Sequence, residues 1–266
     1  MFLRTAVIVL VFFIANGNAE CDQQRLLHCS NKLAAFIGLP ESSAPNLFKN
    51  YTILYNYYLT KIGLNPGSTD DILNGCNGLE SFNLCMMNNP DCLGLSFLLT
   101  QTDIQNAYLS QGTLRSNGFN CGPGVNTLVH EGLACFQRLL HFNQDYFQQC
   151  TASYNTAVTL DSPGACNYIQ QLINCWSVPF KTAPCRPTDN SYLWWACEFN
   201  NVFGKTEFPN CGVDCDPAFQ YSFLVAHMEK HYKFENGEHW ARVPDMTYNA
   251  AGEARMLQGQ WFKLHF

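Results

Sequence analysis

Fourteen cysteines, all downstream of a leader-like N-terminus, constrain this chain more than any other feature. Residues 1–19 carry the basic Arg4, run apolar from Ala6 through Ala15 and close on the small residues Gly17-Asn18-Ala19. That order is the signature of a secretory signal peptide. The apolar run is too short to cross a bilayer as an ordinary helix. The remainder is therefore expected to be secreted into an oxidising extracellular setting, where an even number of cysteines reads as a disulfide framework.

Charge narrows the partners. Without Arg4 the chain keeps 14 Lys and Arg against 21 Asp and Glu, a net charge of −7. A chain of that sign with no basic cluster lacks the electrostatic footprint of a nucleic-acid binder, and anionic lipid surfaces are disfavoured for the same reason. No second apolar stretch approaches the roughly 20 residues of a membrane span. Asn50-Tyr51-Thr52 is the single glycosylation sequon and predicts a surface position for Asn50.

The cysteines repeat. Cys76, Cys85 and Cys121 recur 90 positions later as Cys166, Cys175 and Cys211, and Asn120-Cys121-Gly122 recurs as Asn210-Cys211-Gly212. The string Gln24-Arg25-Leu26-Leu27-His28 returns unchanged as Gln137-Arg138-Leu139-Leu140-His141, but 113 positions on. The pattern reads as a worn tandem duplication. Residues 20–122 form the first copy, 123–215 the second and 216–266 a cysteine-free C-terminal extension. The offset mismatch places an extra stretch in the first copy between Cys29 and Cys76. It holds the sequon and the tyrosine-rich run 51–58, and is expected to face the surface.

Periodicity predicts a mainly α, disulfide-rich fold. Residues 22–36 set Leu26, Cys29, Leu33 and Phe36 on one stripe. Ser68-Thr69-Asp70-Asp71 is an N-cap cluster for a helix carrying Ile72, Cys76, Leu79 and Phe82. Pro123-Gly124 opens a helix through Leu140, and Asp161-Ser162-Pro163-Gly164 starts the one bearing Cys166 and Cys175. Asn89-Pro90, Gly112, Arg186-Pro187 and Pro209 mark interruptions. Residues 217–234 read as a further helix stopped by Asn236-Gly237. The same pair suits a hairpin turn, but that register scatters the apolar groups over both faces, so the helix stop is preferred.

Helix geometry says something about the bridges. Nine residues turn an α-helix by roughly 900° and advance it roughly 13 Å. The Cys-x8-Cys pairs therefore cannot close on themselves, since a disulfide needs Cα atoms about 4.4–6.8 Å apart. Each sulfur must reach a different neighbouring element. Six cysteines fall in each copy: Cys21, Cys29, Cys76, Cys85, Cys92 and Cys121, then Cys135, Cys150, Cys166, Cys175, Cys185 and Cys211. Cys197 and Cys215 are left for a bond particular to the second copy. The full connectivity stays open at this level.

Reactive chemistry finds little support. His227 and His231 lie four apart and share a helical face, so they are candidate zinc ligands, with His239 as a third. A metalloprotease helix needs His-Glu-x-x-His, whereas Glu229 sits two residues after the first histidine. Solvated histidines on a polar face are the expectation. His130-Glu131 fails the same test, because position 134 is alanine. No nucleophile elbow, phosphate-cradling loop or EF-hand is present, and no cofactor is implied. Aromatic residues make up 14% of the chain. They fill a helical core or line an apolar pocket, and the tyrosine run beside the sequon is the part expected outside the core.

The spacing Cys121-x13-Cys135-x14-Cys150, then Cys166-x8-Cys175, together with Leu133-Ala134-Cys135-Phe136, resembles the secreted, cysteine-rich helical domains of unknown function abundant in nematodes and other invertebrates. Cys21-x7-Cys29 is similar to the opening pair of such a domain. The resemblance implies secretion, helices and disulfides, and it implies no catalytic residue. The sequence thus predicts a protein that binds an extracellular protein or a ligand. Carriage of a small apolar ligand is one alternative, and a zinc-dependent hydrolase using His227 and His231 is another.

Overall fold

The computed structural model describes residues 21–87, 89–124, 133–185, 191–213, 215, 232–242, 245–248, 254–257 and 261–264. The helices among them are α1 (Gln23–Phe36), α2 (Tyr51–Leu64), α3 (Asp70–Met86), α4 (Leu95–Gln101), α5 (Ile104–Phe119), α6 (Leu133–Phe142), α7 (Gln144–Leu160), α8 (Ala165–Thr182) and α9 (Ser191–Glu207). The fold is mainly α. Residues 1–20, which hold the expected signal peptide, lie outside the described residues.

Local chemistry sets the helix starts. The Asp22 carboxylate accepts hydrogen bonds from the backbone N–H groups of Gln24 and Arg25, both at 3.0 Å, which satisfies two otherwise orphaned donors of α1. Asp103 caps α5 through the Asn106 N–H at 2.9 Å, and Asn50 caps α2 through the Thr52 N–H at 3.1 Å. Asp70 and Asp71 fall in the first turn of α3, where negative charge complements the helix dipole. Before α8, Ser162–Gly164 forms a short 3-10 turn with Pro163 at its start.

Seven disulfides lace the helices, and every cysteine is paired. The first six cysteines join as Cys21–Cys92, Cys29–Cys85 and Cys76–Cys121. The next six join as Cys135–Cys185, Cys150–Cys175 and Cys166–Cys211. In each set the first pairs with the fifth, the second with the fourth and the third with the sixth. Cys197–Cys215 is additional. The Cys-x8-Cys helices behave as their rise demands: α3 is tied at one end to Cys121 and at the other to α1, and α8 to Cys211 and to α7. No bridge links the two sets, yet one continuous apolar core runs through both. α5 packs along α9, and α2 packs along α6.

Three expectations are corrected. The tyrosine run does not face outward. Leu54, Tyr55, Tyr57, Tyr58, Leu59 and Ile62 are all buried, because α2 is enclosed by α3, α5, α6 and α7, with Asn56 and Thr60 on the side that bonds polar groups of α7. Its two ends, the N-cap Asn50 and Leu64, stay exposed. Gly112 does not interrupt a helix either; it lies inside α5. A Cβ there would sit 3.0 Å from the Phe203 ring and carbonyl oxygen, so the missing side chain is what allows α5 and α9 to approach so closely.

The third correction concerns the C-terminal extension. Residues 232–235 are not the end of a helix but strand β1 (Tyr232–Glu235), which turns through Asn236-Gly237 into β2 (Glu238–Arg242). Both turn residues have positive φ, 55° and 79°, as a two-residue hairpin turn matched to strand twist requires. The register pairs Phe234 with His239 and Lys233 with Trp240. A distant segment supplies the missing stabilisation: β5 (Trp261–Leu264) pairs antiparallel with the other edge of β2, so β2 is the centre of a three-stranded sheet. A separate pair joins β3 (Asp245–Tyr248) to β4 (Ala254–Leu257).

Candidate functional site in the aromatic core

α2 is positioned by a row of polar contacts to α7 running antiparallel to it. The Asn155 amide donates to the Tyr51 hydroxyl at 3.0 Å, Tyr55 bonds Thr151, and the Gln148 amide donates to Asn56 at 3.1 Å. The Thr151 hydroxyl also lies 3.2 Å from the Phe147 carbonyl, to which it donates. The Tyr55 phenol is then the donor to Thr151, and its oxygen keeps lone pairs free. These contacts give the half-buried Tyr51 and the buried Tyr55 partners for their hydroxyls.

Behind α2 stands an aromatic cluster built mainly by α6–α9. Trp176, fully buried, lies at its centre, stacked on Phe147 at 4.3 Å and tilted against Phe199 at 5.2 Å. Trp195 stacks on Phe199 at 5.0 Å and meets Phe136 edge-on at 4.6 Å. Between this cluster, α2 and the end of α5 is a cavity of about 10 Å³, measured as room for the centre of a water. Tyr55, Tyr58, Asn117, Asn120, Trp176 and Trp195 are among its walls. Helices from both disulfide sets thus converge on it.

Two asparagines give this apolar space a polar side. Asn117 and Asn120 are 1% and 4% exposed. The Asn120 side-chain oxygen accepts from the Trp195 indole N–H at 3.0 Å. The Asn117 amide nitrogen and the Trp176 indole nitrogen are buried and have no hydrogen-bond partner among the described residues. The Trp176 indole lies near enough to the Tyr55 hydroxyl to offset a little of its pKa rise, but not in hydrogen-bond geometry.

Burial dominates the titration of the tyrosines. It pushes the phenols of Tyr55, Tyr58 and Tyr154 well above the usual value, and that of Tyr57 up to about 12, with the nearby Asp71 charge adding to the rise. A phenol whose folded pKa is raised stabilises the fold below its unfolded pKa of about 10, and that contribution is lost as pH climbs to the folded value. An absorbance titration near 295 nm is expected to show these four ionising only above pH 11, together with unfolding. Ordinary ionisation of all tyrosines near pH 10 in a folded chain would contradict their burial.

Other sequence candidates fall elsewhere. His227 and His231 lie outside the described residues, as do His130 and Glu131. Of His239 only the main chain is described, in β2. Among the described residues no group of three or more His, Cys, Asp or Glu side chains is gathered as a metal would need. Nor does any described helix have the length and apolarity to cross a membrane. Of the residues lining the cavity, Asn117 and Trp176 were not singled out from sequence, and Asn120 was named only as a neighbour of Cys121. Compared with known protein families, curated proteins and solved structures, the chain matches none.

Proposed function

We propose that this protein acts outside the cell as a disulfide-locked binding body for a protein partner, with no catalytic step of its own. The leader-like residues 1–19 and the complete pairing of the cysteines support export. The observation that carries binding is an exposed apolar face at one end of the first disulfide set. Leu84, in the last turn of α3, and Met87, its C-cap, are 62% and 68% exposed and lie three residues apart. Large apolar side chains grouped on a surface mark a place for a partner. The exposed Asn50 side chain starts α2 through its oxygen, leaving the amide nitrogen as the point for a glycan.

The same order of bridges in both sets, and an equal separation of 45 residues in Cys76–Cys121 and Cys166–Cys211, favour the reading of two tandem related copies. That reading fits the cysteine-rich helical domains the spacing resembles. A second function, carriage of a small apolar ligand, draws support from the aromatic-walled cavity, although its walls must part to admit anything larger than about one water.

Native mass spectrometry of the protein secreted by its own source tests both. The binding reading expects an added protein mass that disappears in a folded L84E/M87E variant. A chain that carries only glycan, with the same mass in wild type and variant, would overturn it. A bound small molecule retained by both would favour carriage instead.

A further inference from the structure

We propose that the cavity between α2, α5, α8 and α9 is the binding site of a single, tightly held water molecule, which joins the two disulfide sets where no covalent bridge does. The donors that require it are Asn117 and Trp176. An indole N–H is donor-only and cannot be satisfied by rotation. The Trp176 nitrogen lies by the Tyr55 oxygen without meeting it in hydrogen-bond geometry, and the Asn117 amide nitrogen has no partner, so both are open to an acceptor in the cavity that their residues line. A lone oxygen accepts from both.

The walls also accept. Asn120 uses one lone pair of its side-chain oxygen for Trp195 and keeps the other, and the Tyr55 oxygen keeps lone pairs after donating to Thr151. The molecule held here thus accepts two hydrogen bonds and has two acceptors near for its own hydrogens, within the two to four partners usual for buried water. Size selects the same occupant. About 10 Å³ of room for a water centre is close to one molecule and far below a drug-sized pocket. The few polar groups on a mostly apolar lining are the partners a buried water requires.

The consequence is structural coupling. Asn117 belongs to α5, within the first disulfide set, and Trp176 to α8, within the second. A water shared by the two holds these helices at fixed separation in the shared core.

The test uses the full oxidised protein in solution. Rotating-frame NMR is expected to show a cross-peak between water and the Trp176 indole proton that persists after exchangeable surface peaks are suppressed, and a second to the Asn117 amide. In N117L, which removes one donor and fills the space, the indole cross-peak is expected to be lost. Should that variant not fold, a crystal structure of the wild type at about 1.5 Å decides the matter. One round density peak within hydrogen-bond distance of both nitrogens supports the proposal. An empty cavity, a larger molecule, or no water contact to the indole overturns it.

Discussion

Trp176→Ala is expected to lower the free energy of unfolding by about 3–5 kcal/mol, the range for truncating a buried tryptophan. For a chain of this size, about 2–4 °C of melting temperature per kcal/mol gives a drop on the order of 6–20 °C. The reason is the number of rings that lose a partner at once. Trp176 contacts Phe147, Trp195 and Phe199 within ring distances of 4.3–6.2 Å and meets Tyr55 edge-on. These rings come from α2, α7 and α9, so no single helix is able to move in and fill the hole. Val178, two residues along the same helix and 45% exposed, supplies the control. Val178→Ala is expected to shift stability by no more than about 0.5 kcal/mol, as surface changes usually do. Denaturant titration followed by circular dichroism measures both, and a Trp176→Ala effect below about 1 kcal/mol would falsify the central place given to this ring.

What the sequence made legible and what it hid have physical explanations. Capping chemistry is local, so Asp70-Asp71 at the start of α3 was readable from its own neighbours, whereas Asp22 was counted within α1 and is its cap. The impossibility of closing Cys-x8-Cys on itself was readable as well, because it follows from helical rise alone. The tyrosine run misled because its burial depends on α6 and α7, nearly a hundred residues away, and on Thr151 and Asn155 as partners for its hydroxyls. The hairpin at Asn236-Gly237 misled because β5 was needed to judge it.

The cavity was hidden for a subtler reason. Ser110, Thr113, Asn117 and Asn120 recur at helical spacing along α5 and its extension, the pattern of a face turned to water. All four are buried, at 4% exposure or less. Part of that polar stripe is satisfied within the fold: Thr113 bonds the Leu109 carbonyl at 2.8 Å and Ser116, beside it, donates to the Phe199 carbonyl of α9 at 3.1 Å. Small polar side chains, with Gly112, let α5 and α9 lie close together where larger apolar ones would hold them apart. A polar helical stripe is thus not by itself evidence of exposure in a chain whose helices are tied together by disulfides.

Removing Cys76–Cys121 or Cys166–Cys211 by changing both cysteines to alanine is expected to destabilise the protein by about 4 kcal/mol in either case, from the unfolded-chain entropy that a loop of this length restricts. The loops are equal, 45 residues each, so the two losses should agree within about 1 kcal/mol. The form of the unfolding curve carries the larger consequence. Each bridge lies within its own disulfide set, but α5 packs on α9, α2 packs on α6, and one apolar core spans both sets. Loosening either set therefore weakens the surface against which the other folds. Tryptophan fluorescence is weighted towards the second set, which holds Trp176, Trp194 and Trp195, whereas far-ultraviolet circular dichroism reports helices of both. In the C76A/C121A variant the two signals are expected to move together to a lower denaturant midpoint. A fluorescence midpoint left at the wild-type value while the helical signal falls earlier would mean that the sets unfold separately and that the contacts between them add little.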